Sequence, residues 1–169
     1  MGRILKIEDF AEGDLRIPVN PIQENSLNEL IKTVEDGYLN RLLGVELCAL
    51  FFVDLDLNGV PQNPLYQEIF NPFFKDVCGY FCDSLGMKVM LKNFVYFYWT
   101  RGLETKLSTV DVSVSISENS INSSLIKSNI VNNYNIGVDV FTTIRFYLQK
   151  NKEDYPEFNG IEISNCGLI

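Results

Sequence analysis

The stretch from Met87 to Gly102 limits what this chain can fold into more than any other. Met87, Met90, Leu91, Phe94, Val95 and Tyr98 recur at helical spacing and form an apolar stripe, while Tyr96, Phe97 and Trp99 occupy most of the opposite face. A helix apolar nearly all round has to be covered on two sides, by its own domain or by another copy. Lys88, Lys92 and Arg101 interrupt it, and it falls short of the roughly 20 apolar residues that a membrane-spanning helix needs.

The remaining elements read as packing partners of this helix. Residues 1–25 hold Pro18 and Pro21, which exclude a regular helix there, so an extended N-terminal arm with one short strand is expected. Ser26-x-x-Glu29 forms a capping box, after which Leu27, Leu30, Ile31, Val34, Tyr38 and Leu42 recur at threes and fours until Gly44 stops the helix. A short apolar helix over 45–53 follows, making a helical corner. Asp54, Asp56, Asn58 and Gly59 match the opening of a calcium-binding loop, but Leu65 stands where the bidentate glutamate belongs, so a polar turn is the better reading. Residues 65–73 suit a helix, and 74–86 suit either another helical turn or a buried hairpin. Between Thr109 and Ser117, Val110, Val112, Val114 and Ile116 alternate with polar residues, which predicts a half-buried strand in need of a mate. The longest helical pattern spans about 122–150, with a kink or break expected near Tyr134–Gly137 where asparagines and a glycine weaken it. The tail from 152 to 169 ends apolar and is expected to dock.

At 169 residues the chain is long enough for one domain with its own core. With 46% hydrophobic residues, no apolar run at the start and no membrane-length window, it reads as a soluble protein made in a cytosol. The formal charge is −8 and histidine is absent, which removes Ser-His-Asp, Cys-His and His-metal chemistry. An acidic balance also disfavours tight wrapping of nucleic acid, though it suits a surface past which DNA slides. Cys78 and Cys82 lack the second pair that a zinc site needs, so the cysteines read as buried free thiols. No phosphate-binding glycine loop is present, and the carboxylate pairs (Glu8 and Asp9, Glu35 and Asp36, Glu153 and Asp154) lie in polar stretches that read as solvated faces. The aromatic run 96–99 could stack single-stranded bases, but with so few basic neighbours core packing is preferred. No catalytic, cofactor-binding or metal-ligating residue is therefore expected, and Arg41, Arg101 and Arg145 read as pairing residues between elements or subunits.

The serial order of these motifs resembles a family. EDGYLNRLLG (35–44) with the apolar helix after it, SLGMKVMLKNFVYFYW (84–99), the strand from Thr109 ending in SEN, YNIGVDVFTTIRFYL (134–148) and YPEFNG (155–160) are similar to the head–tail connector, or neck adaptor, proteins of tailed bacteriophages, closest to those of crAss-like and other Bacteroidetes phages. The resemblance covers about three quarters of the chain and leaves out the N-terminal arm and residues 74–83. It implies a virion protein, assembled in the host cytoplasm, that forms a homo-oligomeric ring, usually twelvefold. Such a ring docks under the portal, extends the DNA channel without sequence-specific binding, and joins other neck or tail rings. A helix greasy on two sides, an unmated strand and extended termini suit a ring whose neighbours complete each other.

The expected fold is mainly α: a bundle of four to five helices over 26–151, a small β element near 109–117, and extended arms at 1–25 and 152–169. Tyr96, Trp99, Arg101, Val110, Val112, Val114, Ile116 and Arg145 are the expected contacts with neighbouring subunits or the portal. The competing reading is a non-catalytic binding or cargo protein of a phage particle, and the third an enzyme using a carboxylate pair.

Overall fold

A computed structural model describes residues 2–77, 79–109 and 116–163, with side chains described at 2–77, 79–103 and 128–163. The chain is mainly helical, with one small antiparallel sheet. In order it forms a 3-10 turn (Ile7–Phe10), α1 (Pro21–Leu43), α2 (Val45–Asp54), α3 (Pro64–Phe70), β1 (Phe73–Val77), β2 (Tyr80–Ser84), α4 (Met87–Thr109) and α5 (Ile116–Lys150).

Helix α1 begins five residues before the expected Ser26 cap. Asn20 Oδ1 accepts from the N–H groups of Ile22 and Gln23, both at 3.1 Å, and Gln23 Oε1 accepts from the Asn20 N–H at 3.3 Å. Pro21 takes the first helical position, where its missing N–H costs nothing and its fixed φ is already helical. Proline starts this helix rather than barring it.

Helix α4 lies between α1 and α5 and touches both. Met87, Met90, Leu91, Phe94 and Val95 are wholly buried. On one side the Tyr38 ring stacks on Phe94 at 3.7 Å, and on the other the Tyr134 ring lies 5.4 Å from Phe94 and 4.7 Å from Phe97. Most of the apolar-all-round helix is thus covered by its own chain, with Tyr98 and Leu103 left exposed. Helix α5 runs through Tyr134–Gly137 without the break that was one of the two expectations there. Gly137 is there for packing: a Cβ at that position would sit 2.8 Å from Phe94 Cε1.

The β element is the hairpin β1–β2, paired from Phe73↔Ser84 to Val77↔Tyr80. Of the expected strand at 109–117 only the two ends are described, and both are helical: Thr109 closes α4, and Ile116 and Ser117 open α5. Val110, Val112 and Val114 lie outside the described residues.

The terminal segments join the same core. Ile4, Leu5, Phe10 and Ile17 from the arm and Tyr155 and Phe158 from the C-terminal segment are buried with the bundle residues. The arm is held by Glu35, a buried residue of α1 whose carboxylate accepts the N–H groups of Arg3 (2.6 Å), Ile4 (3.1 Å) and Leu5 (2.6 Å). Burial pushes the Glu35 pKa up, against the opposing pull of those three N–H groups. At the other end, the Asn159 N–H donates to the Leu43 carbonyl at 3.3 Å and the Ile161 N–H to that of Arg41 at 2.7 Å. These satisfy carbonyls that the C-terminus of α1 would otherwise leave open. The crossing is so close that Gly160 has no room for a Cβ, which would run into the Leu42 carbonyl.

Two glycines of the bundle should respond oppositely to alanine. Gly102 faces open space within α4, so Gly102→Ala should stabilise the fold by about 0.5–1 kcal/mol. Gly137→Ala should destabilise it by about 1 kcal/mol, because overpacking against a buried ring outweighs the gain in helix propensity. Urea unfolding of both variants checks the pair of signs.

Glu35→Ala strands three N–H groups of the arm, two of them buried, and should cost about 3 kcal/mol, with faster tryptic cleavage after Arg16. The pH dependence follows from the raised pKa. A carboxyl that holds its proton more tightly in the folded state adds stability in full below its ordinary value of 4.5, and loses it as pH rises through the higher folded value. The stability gap between wild type and Glu35→Gln should therefore narrow from pH 4 to pH 7, as read by urea unfolding across that range.

Candidate functional site

Several of the described titratable groups that the fold buries hold one segment of the chain to another. At the α1–α4–α5 junction the Tyr38 and Tyr98 hydroxyls lie 2.9 Å apart. Burial first, then hydrogen bonding to Tyr98 and Tyr134, drives the Tyr38 phenol far above its usual pKa, so it stays neutral. Where α3, β1 and α5 meet, Lys75 Nζ sits 2.8 Å from Glu68 Oε2 and donates to the Tyr147 hydroxyl at 3.1 Å; that hydroxyl donates in turn to Glu68 at 2.7 Å. The Lys75 hydrogen bond, followed by that from Tyr147, holds Glu68 below the usual carboxylate range. Tyr155 extends this group by donating to the Leu65 carbonyl at 2.7 Å. The result is a polar clamp between the hairpin, α3 and α5.

Cys48 and Cys82 are buried and unpaired, and burial raises the Cys48 thiol to about 11, which keeps it protonated and unreactive. Cys78 and Cys166 lie outside the described residues. In the 54–64 loop, Asp56 Oδ1 accepts from Asn58 and Val60 at 2.8 Å, and Asp54 Oδ2 accepts from Gln62 and Asn63 at 2.7 Å. Both carboxylates fold their own loop, as asparagine and aspartate turns do. Among the described residues no group of three cysteine, aspartate or glutamate side chains is placed to hold a metal ion, and no helix is long and apolar enough to cross a membrane.

Two clefts open on α1. One of about 420 Å³ lies at the α1–α2 corner against the C-terminal segment, lined by Asn40, Arg41, Glu46, Glu157 and Asn159. The other, about 240 Å³, is a groove between α1 and α4 lined by Leu30, Val34, Tyr38, Arg41 and Tyr98. Neither gathers a nucleophile with a base beside it.

The residues expected to make intersubunit or portal contacts are scattered. Tyr96 and Trp99 are half-buried against the core of their own chain. Arg101 is exposed, with its guanidinium 5.8 Å from the centre of the Phe97 ring. Arg145 turns to the C-terminal segment, pairing with Glu162 at 3.0 Å, while its Nε is buried without a hydrogen-bond partner. Val110, Val112 and Val114 lie outside the described residues. Ile116 opens α5, and its side chain lies outside them too.

The apolar surface that the fold does expose lies elsewhere. It runs along α2, through Val45, Leu50 and Val53 to Leu57 beyond it, and over the hairpin, at Phe74, Tyr80 and Phe81. For α2 the signal was present: a helix apolar apart from Glu46 and Asp54, whose inward face of Leu47, Cys48 and Phe51 leaves Val45, Leu50 and Val53 outside. Comparison with protein families, with characterised proteins and with solved structures finds no match to this chain.

Proposed function

We infer that the chain is a non-catalytic structural subunit of a phage particle, and within that class a head–tail connector ring protein that docks under the portal. The observation that carries this reading is the apolar stripe on α2. Leu50 and Val53, three residues apart, share the outer face of α2 with Val45, Ala49 and the acidic Glu46 of its first turn, and Val53 is 86% exposed. A covered core combined with an uncovered helix face suits a subunit built to meet a neighbour in a closed ring. The serial order of motifs that resembles neck adaptors supports the finer assignment. The net charge of −8 suits a channel wall that DNA passes without adhering. A ring of this kind needs no cofactor, and Glu35, Tyr38 and Tyr155 spend their polar atoms on fixing backbone and helices.

The same stripe would equally serve a binding or cargo protein of the particle, and assembly state separates the two. Mass photometry of the full chain, alone and with the portal assembly of its phage, should show closed rings. Val53→Asp and Leu50→Asp should shift those rings to monomers without changing helix content by circular dichroism. A chain that stays monomeric in both settings and does not bind the portal assembly would overturn the connector reading.

A further inference from the structure

The hairpin presents a second apolar surface, built differently from the stripe on α2. Phe74 of β1 and Phe81 of β2 are diagonal neighbours on its outer face, and their rings stack at 5.5 Å with 9° between planes. They are 68% and 72% exposed. Each aromatic is paired across the strands with a carboxylate: Phe74 stands opposite Asp83, and Phe81 opposite Asp76. The outer face is therefore a checkerboard of two stacked rings and two acids, and neither acid is in a salt bridge among the described residues. Asp76 Oδ1 also accepts the Gly79 N–H at 2.8 Å, which ties the turn.

The inner face is fixed. The Lys75–Glu68–Tyr147 clamp bolts β1 to α3 and α5, Phe73 packs on the Tyr147 ring at 5.0 Å, and Val77, Cys82 and Ser84 are buried. A stacked aromatic pair on a held scaffold has little conformational freedom to lose when something covers it.

We propose that the outer hairpin face, Phe74 and Phe81 with Asp76 and Asp83, docks a protein segment that presents lysine or arginine beside aliphatic side chains. Aromatic anchors with a charged rim are the ordinary anatomy of a protein contact centre. The acids choose among occupants. They repel the phosphates of nucleic acid and of anionic lipid, and a second copy of the same face would set acid against acid in a chain with 22 acidic and 14 basic residues. A cationic, apolar partner satisfies both halves of the pattern. This inference goes beyond the connector reading and does not depend on it.

The probe is a short fluorescein-labelled peptide alternating lysine with valine, followed by fluorescence anisotropy on the full chain. It should bind, weaken with added salt, and bind at least about tenfold more tightly than a glutamate–valine counterpart. Phe74→Ala with Phe81→Ala should remove the binding. Asp76→Asn with Asp83→Asn should weaken it by about tenfold, since asparagine keeps an acceptor for the turn but loses the charge. Neutralising Glu12 and Asp14, exposed acids of the N-terminal arm outside the hairpin, should leave it unchanged. Equal binding by wild type and the asparagine variant would overturn the proposal even if the alanine variant fails to fold. Two other results would also overturn it: phenylalanine-dependent self-association in sedimentation, or co-sedimentation with phosphatidylcholine vesicles.

Discussion

A single buried carboxylate sets the conditions for the rest of the fold. Glu35 draws three consecutive N–H groups of the N-terminal arm onto α1, and so brings Ile4 and Leu5 into the common core. A charge-bearing group in that position is tolerable because its oxygens are occupied. Around this anchor the contacts are weaker and redundant. The Arg3 guanidinium lies 3.8 Å over the Phe52 ring, Lys88 meets Asp9 at 2.8 Å, and Lys92 stands over Phe10. None of these exposed contacts supplies the specificity of the Glu35 arrangement, which fixes where the first turn of chain crosses the helix.

Much of the bundle was legible in the sequence because its signals are local. The stripe from Met87 to Tyr98 and the threes and fours from Leu27 to Leu42 belong to helices whatever surrounds them. What periodicity could not carry was who covers whom. An apolar-all-round helix looks the same whether its second cover is α5 of the same chain or a neighbour's surface. Pro21 was misread because proline opens a helix as readily as it breaks one, and the choice lies with the asparagine before it. Glu35 could have been noticed, since it stands four residues from both Ile31 and Leu39 on the inward stripe. A charged residue at an inward position announces a buried partner without naming it.

The surface candidates were harder still. Tyr96 and Trp99 drew attention as large aromatics, yet aromatics at helical spacing next to a core are usually part of it. The most exposed ones, Phe74, Tyr80 and Phe81, sit in the segment 74–83, where strand alternation is short and confused by aromatics on both faces. Phe73 and Phe74 are adjacent and point opposite ways, so composition alone could not say which is covered. The two faces of the hairpin divide the labour: one is clamped to the body by Lys75, and the other is left to the solvent.

The crossing of residues 159–161 over the end of α1 has a consequence for the order of biosynthesis. Helix α1 and its glutamate latch are complete once the first part of the chain has left the ribosome. The open carbonyls of its final turn, however, find their N–H donors only in a segment translated more than a hundred residues later. Until then that end of the helix must be hydrated, and the α1–α2 corner has no lid. Closure of that corner thus waits for residues 159–161, which arrive as a fastener after the parts they join.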